Sequence, residues 1–306
     1  PIRFFSLFVG YCLQNPHLVV KYDLSQKAVK PMGNIKISLA GDLGSGKSTV
    51  GRILSEKLGA EVYSTGTIQR AIAAEMGMTT LELNKYSETH PEIDDKIDDG
   101  LRALNQKAAD VIIDSRMAWH FVPDSFAVYM AADPAVSAAR IMNAGRESEP
   151  FSNLEEAIRS IAARRQSEMQ RYFQLYGVNI KDLENYDYVI DTSYIPPETV
   201  AEHILAHFEK YGKSEPFARY ELSARRLLPC LNGEGGPAFF EKGGAYFIAA
   251  GEEKIAAALC AGEPLVACVR ADNVPDGAEE GCTAEKIAAW NKRTGAGAKL
   301  PAAGQC

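Results

Sequence analysis

A glycine-rich octapeptide restricts this 306-residue chain to a small group of folds. Residues 41–48 read GDLGSGKS and match the pattern G-x-x-x-x-G-K-[ST] at every fixed position. Before it, Ile35, Ile37 and Leu39 alternate with polar or small residues, which is typical of a strand. After it, residues 49–58 have the apolar spacing of a helix. This order is the context that the motif requires, and it predicts the first βα unit of a parallel α/β sheet.

The chemistry of this loop indicates a bound triphosphate. Glycines let backbone N–H groups turn inward around a phosphate, and the following helix N-terminus adds partial positive charge. Lys47 can reach the β- and γ-phosphates, and the Ser48 hydroxyl can ligate Mg²⁺. We therefore predict that ATP, as phosphate donor, binds along the whole loop: Gly41, Asp42, Leu43, Gly44, Ser45, Gly46, Lys47, Ser48 and Thr49.

A second apolar strand ends in an acid. Residues 110–114 read DVIID, so that Asp114 closes the run. A carboxylate at the carboxyl end of a parallel strand, beside the phosphate loop, can hold Mg²⁺ together with a loop hydroxyl. We therefore predict Ser48 and Asp114 as metal ligands. Arg116 follows two residues later and should point into the crevice above the sheet.

The segment after residues 61–63, a short predicted strand, suits a second phosphate. Ser64, Thr65 and Gly66 open a helix there, and Arg70 lies about one helical turn further on. A phosphate that faces the glycine-rich loop is one interpretation. An ordinary capped helix with a surface arginine is the other.

Two helices are predicted next, at 67–76 and 91–107. The second carries a run of aspartates on one face: Asp94, Asp95, Asp98 and Asp99. We interpret this face as solvated rather than as a site of base recognition.

Arginines concentrate in the middle of an otherwise acidic chain. The chain has 33 lysines and arginines against 40 aspartates and glutamates, a formal charge of −7, which argues against a nucleic-acid partner. Phosphoryl transfer nevertheless needs several cations on a segment that closes and excludes water. Residues 140–171 predict such an arginine-bearing lid: Arg140, Arg146, Arg159, Arg164, Arg165 and Arg171.

Residues 1–31 are predicted to be a poorly ordered leader, with an extra strand or helix packed on the body as the alternative. The apolar run at 4–13 is too short to span a bilayer, and no small-x-small cleavage site follows it, so no membrane partner is expected. Six cysteines without a CxxC pair favour a reducing, cytoplasmic setting.

Residues 33–211 resemble the nucleoside monophosphate kinases among P-loop proteins, and within them the short cytidylate kinases typified by archaea. Many families share the glycine-rich loop. The resemblance also includes NKY at 84–86, HPEID at 90–94 and YVIDTS at 188–193. The stretch EMQRYFQLYGVNI at 168–180 is much more particular to the family. The resemblance implies a P-loop parallel sheet with helices on both faces, an acceptor-binding helical pair and a lid.

The resemblance also implies roles for single residues. Arg70 and Arg116 match arginines that hold the acceptor monophosphate. For the lid, Arg165 is an alternative to Arg164. The implied catalytic set is Lys47, Arg116, Arg140, Arg146, Arg164 and Arg171. The implied acceptor-binding set is Ser64, Thr65, Gly66, Arg70 and Arg116.

Two positions depart from the family pattern. Asp42-Leu43 replaces a more usual proline-rich opening of the loop, and Ser115 replaces a common glycine. An acid at position 42 is unexpected beside phosphates. Neither change removes a catalytic group.

A linker-like GKSEP at 212–216 ends the kinase-like part, residues 32–212. Residues 213–293 are predicted to form a small α+β domain, which faintly resembles the ParB-like nuclease/sulfiredoxin fold without its polar signature. We interpret it as degenerate. Residues 294–306 are predicted to be disordered.

Within the small domain, a helix is predicted near 222–228. A hairpin is predicted across 239–248, with Gly243-Gly244 at its turn. Because every predicted catalytic group precedes this domain, we expect residues 32–213 to fold and act alone.

These features together imply Mg²⁺-dependent transfer of the ATP γ-phosphate to CMP, with dCMP and UMP as further acceptors. One alternative is a P-loop kinase for AMP or another small acceptor. The other is a nucleotide-binding regulator without turnover.

Overall fold

The structure is a computed structural model that describes residues 33–144 and 151–299. The predicted leader 1–31, the lid arginine Arg146 and the final residues 300–306 lie outside the described residues.

Strands and helices alternate through the first two thirds of the described chain. The strands are Lys36–Gly41 (β1), Glu61–Ser64 (β2), Val111–Asp114 (β3), Phe126–Ala131 (β4), Tyr188–Asp191 (β5), Tyr220–Leu222 (β6), Leu227–Leu228 (β7), Ala238–Lys242 (β8), Ala245–Ala250 (β9) and Val266–Arg270 (β10). The helices are Lys47–Leu58 (α1), Thr65–Glu75 (α2), Thr80–Ser87 (α3), Glu92–Gln106 (α4), Ala118–Phe121 (α5), Pro134–Asn143 (α6), Leu154–Tyr176 (α7), Pro197–Gly212 (α8), Glu252–Ala261 (α9), Ala278–Gly281 (α10) and Ala284–Thr294 (α11).

The strands form one sheet in the order β2-β3-β1-β4-β5-β6-β10-β8-β9-β7. The first six strands in this order run parallel, and β10 pairs antiparallel with β6. The predicted parallel α/β sheet with flanking helices is therefore confirmed. Because parallel strands share one carboxyl edge, Gly41, Ser64, Asp114 and Asp191 all end at the same side of the sheet.

Helices α1 and α8 cover one face of the sheet. Val50 and Leu54 of α1 and Ile204 of α8 are buried against the strand residues Leu39 and Val128. Such burial of complete aliphatic side chains is the main favourable contribution to the fold, at about 1.5–3 kcal/mol per side chain. None of the helices in the described residues is both long enough and apolar enough to cross a membrane.

The opposite face shows how the carboxyl-terminal part joins the rest. A single hydrophobic cluster contains Tyr129 and Tyr186 from the kinase-like part together with Leu222, Phe239 and Tyr246 from the part after residue 213. Strand β6 pairs with β5, so the sheet continues across the linker-like segment without a break.

The predicted helix near 222–228 is wrong. A short strand ends at Leu222, a 3₁₀ turn covers Ala224–Arg226, and Leu227–Leu228 is a second strand. Leu222 and Leu227 are completely buried in the shared cluster, so sheet packing overrides the local preference for helix. The predicted hairpin is confirmed, with Gly243 and Gly244 at positive φ between β8 and β9.

Residues 294–299 are the described part of the segment predicted to be disordered. Thr294 ends α11, and the Asn291 side chain binds both the backbone N–H and the carbonyl of Ala298, whose side chain is buried.

Candidate active site

The glycine-rich loop lies between β1 and α1, at the carboxyl edge of the sheet. Gly41 has φ 138°, and a Cβ atom there would lie 2.2 Å from the Met130 carbonyl oxygen, so only glycine fits this approach of β1 to β4. Gly46 has φ 91° and begins α1. The loop therefore presents backbone N–H groups and a helix N-terminus to the crevice above the sheet.

Lys47 lies across this loop. Its ammonium donates to the carbonyl oxygens of Asp42 at 2.7 Å and Gly41 at 3.2 Å. Burial lowers the pKa of Lys47 to about 8, and the neighbouring Arg116 guanidinium acts in the same direction. The carboxylates of Asp114, Asp42 and Glu168 oppose this shift without cancelling it.

The two predicted metal ligands lie together. The Ser48 hydroxyl donates to the Asp114 carboxylate at 2.9 Å, and the Ser64 hydroxyl lies 3.4 Å from the same oxygen. These are hard oxygen donors of the kind that Mg²⁺ prefers. Within 33–144 and 151–299, no group of three or more His, Cys, Asp or Glu side chains is arranged to hold a metal. One carboxylate and one hydroxyl are nevertheless enough where substrate phosphates and water complete the shell.

The Asp42 side chain is buried among polar partners. Its carboxylate accepts from the Tyr129 hydroxyl at 2.8 Å and from the Ala132 N–H at 2.9 Å. Arg165 pairs with it at 2.9 Å and Lys181 at 3.1 Å. Burial alone would raise the pKa of Asp42, but Lys181 and Arg165 outweigh it and hold that pKa well below its usual range. The unexpected acid is thus the anion of a buried polar cluster.

Glu168 on α7 gathers two of the predicted arginines. It pairs with the Arg116 Nε at 2.7 Å and with the Arg164 Nε at 3.1 Å, and its side chain is only 3% exposed. Both arginines are mostly buried. Arg164 therefore shares a carboxylate with Arg116, whereas Arg165 pairs with Asp42.

A small cavity of about 20 Å³, room for about one water molecule, lies between the beginning of the loop and α7. Three cationic and two anionic side chains meet in it. Its lining includes Gly41, Asp42, Leu43, Arg116, Tyr129, Arg165, Glu168, Ile180, Lys181 and Tyr186.

Three other predicted arginines have separate surroundings. Arg140 on α6 donates to the Thr192 carbonyl at 2.6 Å and comes within 3.4 Å of the Gly44 carbonyl, on the α6 side of the loop. Arg70 is exposed on α2 and donates to Thr67 at 3.0 Å. Arg171 is buried and faces α3 and α4, where it lies 3.3 Å from the Asn84 carbonyl.

The solvated-face interpretation of α4 is wrong for two of its aspartates. Asp94 and Asp98 are each 4% exposed. Asp94 pairs with Arg171 at 3.5 Å, and Asp98 accepts from the Tyr176 hydroxyl on α7. Asp94 and Asp98 instead lie in a buried polar layer between α4 and α7, while Asp95 and Asp99 are exposed as predicted.

Sequence reasoning missed Glu168, Lys181 and Tyr129 as site residues. A signal for Glu168 was present, because Arg164, Glu168 and Arg171 follow the i, i+4, i+7 spacing of one helix face. Lys181 and Tyr129 had no local signal, since they meet Asp42 only in the folded chain.

Comparisons with known proteins show which family this chain resembles in sequence. The model of the cytidylate kinase-like family matches residues 36–194. The cytidylate kinase of Thermoplasma volcanium is 35% identical over 187 residues, which cover 60% of this chain and 96% of that protein. The cytidylate kinase of Sulfolobus acidocaldarius is 40% identical over 174 residues, or 56% of this chain and 92% of that protein.

Among solved structures, a shikimate kinase from Bacteroides thetaiotaomicron covers 57% of this chain and 98% of its own, at 15% identity and a TM-score of 0.42. The family match takes in more than half of this chain, including the glycine-rich loop, Asp114 and the arginine-bearing helix α7. By that match, this chain belongs to the cytidylate kinase-like family.

Proposed function

We propose that this protein transfers the γ-phosphoryl group of ATP to CMP, giving ADP and CDP, with dCMP and UMP as further acceptors. The observation that carries the proposal is the joined Ser48–Asp114 pair, which links the glycine-rich loop to the carboxyl end of β3. Arg116, two residues beyond Asp114, is held by Glu168 and lies close enough to Lys47 to lower its pKa. A donor triphosphate on the loop and an acceptor phosphate on the arginine would face each other there.

The donor side comprises the loop N–H groups, Lys47 and Arg140. Lys47 would leave the loop carbonyls, its present partners, for the β- and γ-phosphate oxygens. Positioned cations neutralise charge that spreads over the transferring oxygens, so this chemistry needs neither a covalent intermediate nor a strong base.

Mg²⁺ would be held by Ser48 and Asp114, whose hydroxyl–carboxylate contact at 2.9 Å already joins the two side chains. The bound ion would neutralise charge on the β- and γ-phosphates. Asp114 would then accept from the ion's water shell or bind the ion directly.

The acceptor side comprises Arg116, Arg70 and the Ser64–Gly66 turn. The Ser64 hydroxyl accepts from the Thr67 N–H at the start of α2. Other N–H groups of this helix N-terminus would donate to the acceptor phosphate. Arg116 and Arg70 would hold the acceptor phosphate in line with the γ-phosphate.

The test measures both products. Incubation with ATP, Mg²⁺ and CMP should yield ADP and CDP in equal amounts. ATP hydrolysis without CDP, or ATP binding without turnover, would contradict the proposal and favour a nucleotide-binding regulator.

Assignment of the acceptor side is tested by binding. Arg116→Ala and Arg70→Ala should each weaken CMP binding by on the order of 10-fold or more, the loss of a charge-assisted contact, and change ATP-analogue affinity far less. Arg52→Ala, which removes an exposed arginine on the outer face of α1, is the control. Loss of ATP affinity with unchanged CMP binding would mean that these arginines bind the phosphates of ATP and not that of CMP.

A further inference from the structure

Residues 213–299 lie beyond the family match, and the proposed chemistry uses none of their side chains. We infer that this part positions the donor side of the active site through Arg226, which holds the loop 191–193 in place. The kinetic test of this inference rests on the proposed function, whereas a measurement of ATP binding tests it independently.

Arg226 and Asp191 form a buried ion pair across the two parts. Asp191 ends β5 and is completely buried, and the Arg226 Nη1 lies 3.0 Å from its carboxylate. The guanidinium also lies 4.8 Å from the centroid of the Tyr246 ring on β9, which fixes its orientation. Arg226 and the Tyr246 ring that orients it therefore both belong to the carboxyl-terminal part.

The same carboxylate shapes the loop that follows β5. The other oxygen of Asp191 accepts from the Ser193 N–H at 2.9 Å and from the Ser193 hydroxyl at 2.5 Å. Arg226 and Ser193 thus share one carboxylate, so movement of Arg226 would change the conformation of this loop.

That loop touches the donor site at two points. The Thr192 hydroxyl donates to the Ser45 carbonyl of the glycine-rich loop at 2.9 Å. The Thr192 carbonyl accepts from the predicted catalytic Arg140 at 2.6 Å. A chain of contacts therefore runs from Arg226 through Asp191 and Thr192 to both the phosphate loop and Arg140.

A third contact supports the same route. The Ser193 hydroxyl accepts from the N–H of Asp133, the residue that caps α6, and α6 carries Arg140. The loop 191–193 is therefore tied to the beginning of this helix as well as to its arginine.

Loss of Arg226 would leave a carboxylate buried without its cation, a costly state that the loop can relieve only by moving toward water. Arg226→Met removes the charge with similar volume. We expect KM for ATP to rise by on the order of 10-fold, the loss typical of one positioned contact, while KM for CMP changes by less than about 2-fold.

Arg219→Met is the matched control. Arg219 lies at the same boundary between the two parts and pairs with Glu184 at 2.7 Å, and it also donates to the Tyr186 carbonyl. These bonds lead to residues 183–186, which precede β5, rather than to the loop 191–193, which follows it. We expect Arg219→Met to lower the melting temperature and leave both KM values unchanged.

The double variant Asp191→Asn/Arg226→Met removes both charges and keeps the inference testable where Arg226→Met alone fails to fold. Since neither charge of this pair is then buried without the other, KM for ATP should return to within about 3-fold of wild type. Arg226→Lys, which keeps the charge, should give an intermediate value.

Two results would overturn the inference. One is an equal change in the KM values for ATP and CMP in Arg226→Met, and the other is no difference from Arg219→Met. Binding of a fluorescent ATP analogue to the same variants separates the two proposals. If wild type binds ATP without phosphorylating CMP, the proposed function fails, while a selective loss of ATP affinity in Arg226→Met still supports the inference.

Discussion

Lys47 donates to loop carbonyl groups, and in the proposed reaction it would bind the β- and γ-phosphates instead. Lys47→Ala should reduce kcat for CMP phosphorylation by on the order of 10²–10³-fold, the cost of one lost preorganised contact in the transition state. Lys57→Ala, on the exposed last turn of the same helix, should leave kcat unchanged. Near wild-type turnover of Lys47→Ala would contradict the donor-site assignment.

The pKa of Lys47 also predicts a pH profile. Because burial and Arg116 lower this pKa to about 8, the free enzyme loses the ammonium charge as pH rises through that value. kcat/KM for ATP, which reports on the free enzyme, should therefore fall above about pH 8. Lys47→Arg keeps its charge and should lack this alkaline limb. The same limb in Lys47→Arg would assign it to another group.

At the scale of elements, the buried acidic layer between α4 and α7 predicts a pH-dependent stability. Burial raises the pKa of Asp98 to about 6, although the bond from Tyr176 opposes the shift. In the unfolded chain the group titrates near its ordinary value, so the folded state holds the extra proton between about pH 4 and pH 6. The stabilisation is complete below that window and is lost as pH rises through about 6.

Asp98→Asn keeps an acceptor for the Tyr176 hydroxyl and removes the titration. Between pH 4 and pH 7, the free energy of unfolding should fall in both proteins, but the fall should be smaller in Asp98→Asn by on the order of 2 kcal/mol. Urea unfolding at each pH measures it. Asp99→Asn, whose side chain is 75% exposed, is the control. Parallel pH profiles for Asp98→Asn and wild type would mean that Asp98 is already ionised in the folded protein.

The elements that sequence could predict are those specified by neighbours in the chain. The β1–loop–α1 unit carries its glycines, Lys47 and Ser48 within one short stretch, so position and chemistry follow together. The hairpin between β8 and β9 follows from its two turn glycines in the same way.

What could not be predicted depends on distant partners. Asp42 meets Tyr129 and Lys181, which lie 87 and 139 residues away along the chain. Buried and solvated acidic stripes also have the same spacing on a helix, so only α7, packed against α4, shows that Asp94 and Asp98 are buried. The short strands β6 and β7 likewise exist because neighbouring strands pair with them.

At the scale of the whole molecule, the shared hydrophobic cluster predicts that residues 32–213 do not fold stably alone. The linker-like sequence led to the opposite expectation. A chain ending at Lys213 would expose Tyr129 and Tyr186 on one face of the sheet and leave β5 as an open edge. We expect this truncation to aggregate, or to melt at least about 10 °C below the full chain. Calorimetry on both proteins is the measurement, and equal melting temperatures with equal activity would show that residues 32–213 are self-sufficient.

The acceptor preference tests the central claim, which is phosphoryl transfer from ATP to CMP at the glycine-rich loop. The measurement is kcat/KM for CMP, dCMP, UMP and AMP at saturating ATP and Mg²⁺, with Lys47→Ala run beside wild type. The account predicts the highest kcat/KM for CMP, weaker turnover of dCMP and UMP, and loss of all of it in Lys47→Ala. Turnover of AMP above CMP, or CDP formation that survives Lys47→Ala, would contradict it.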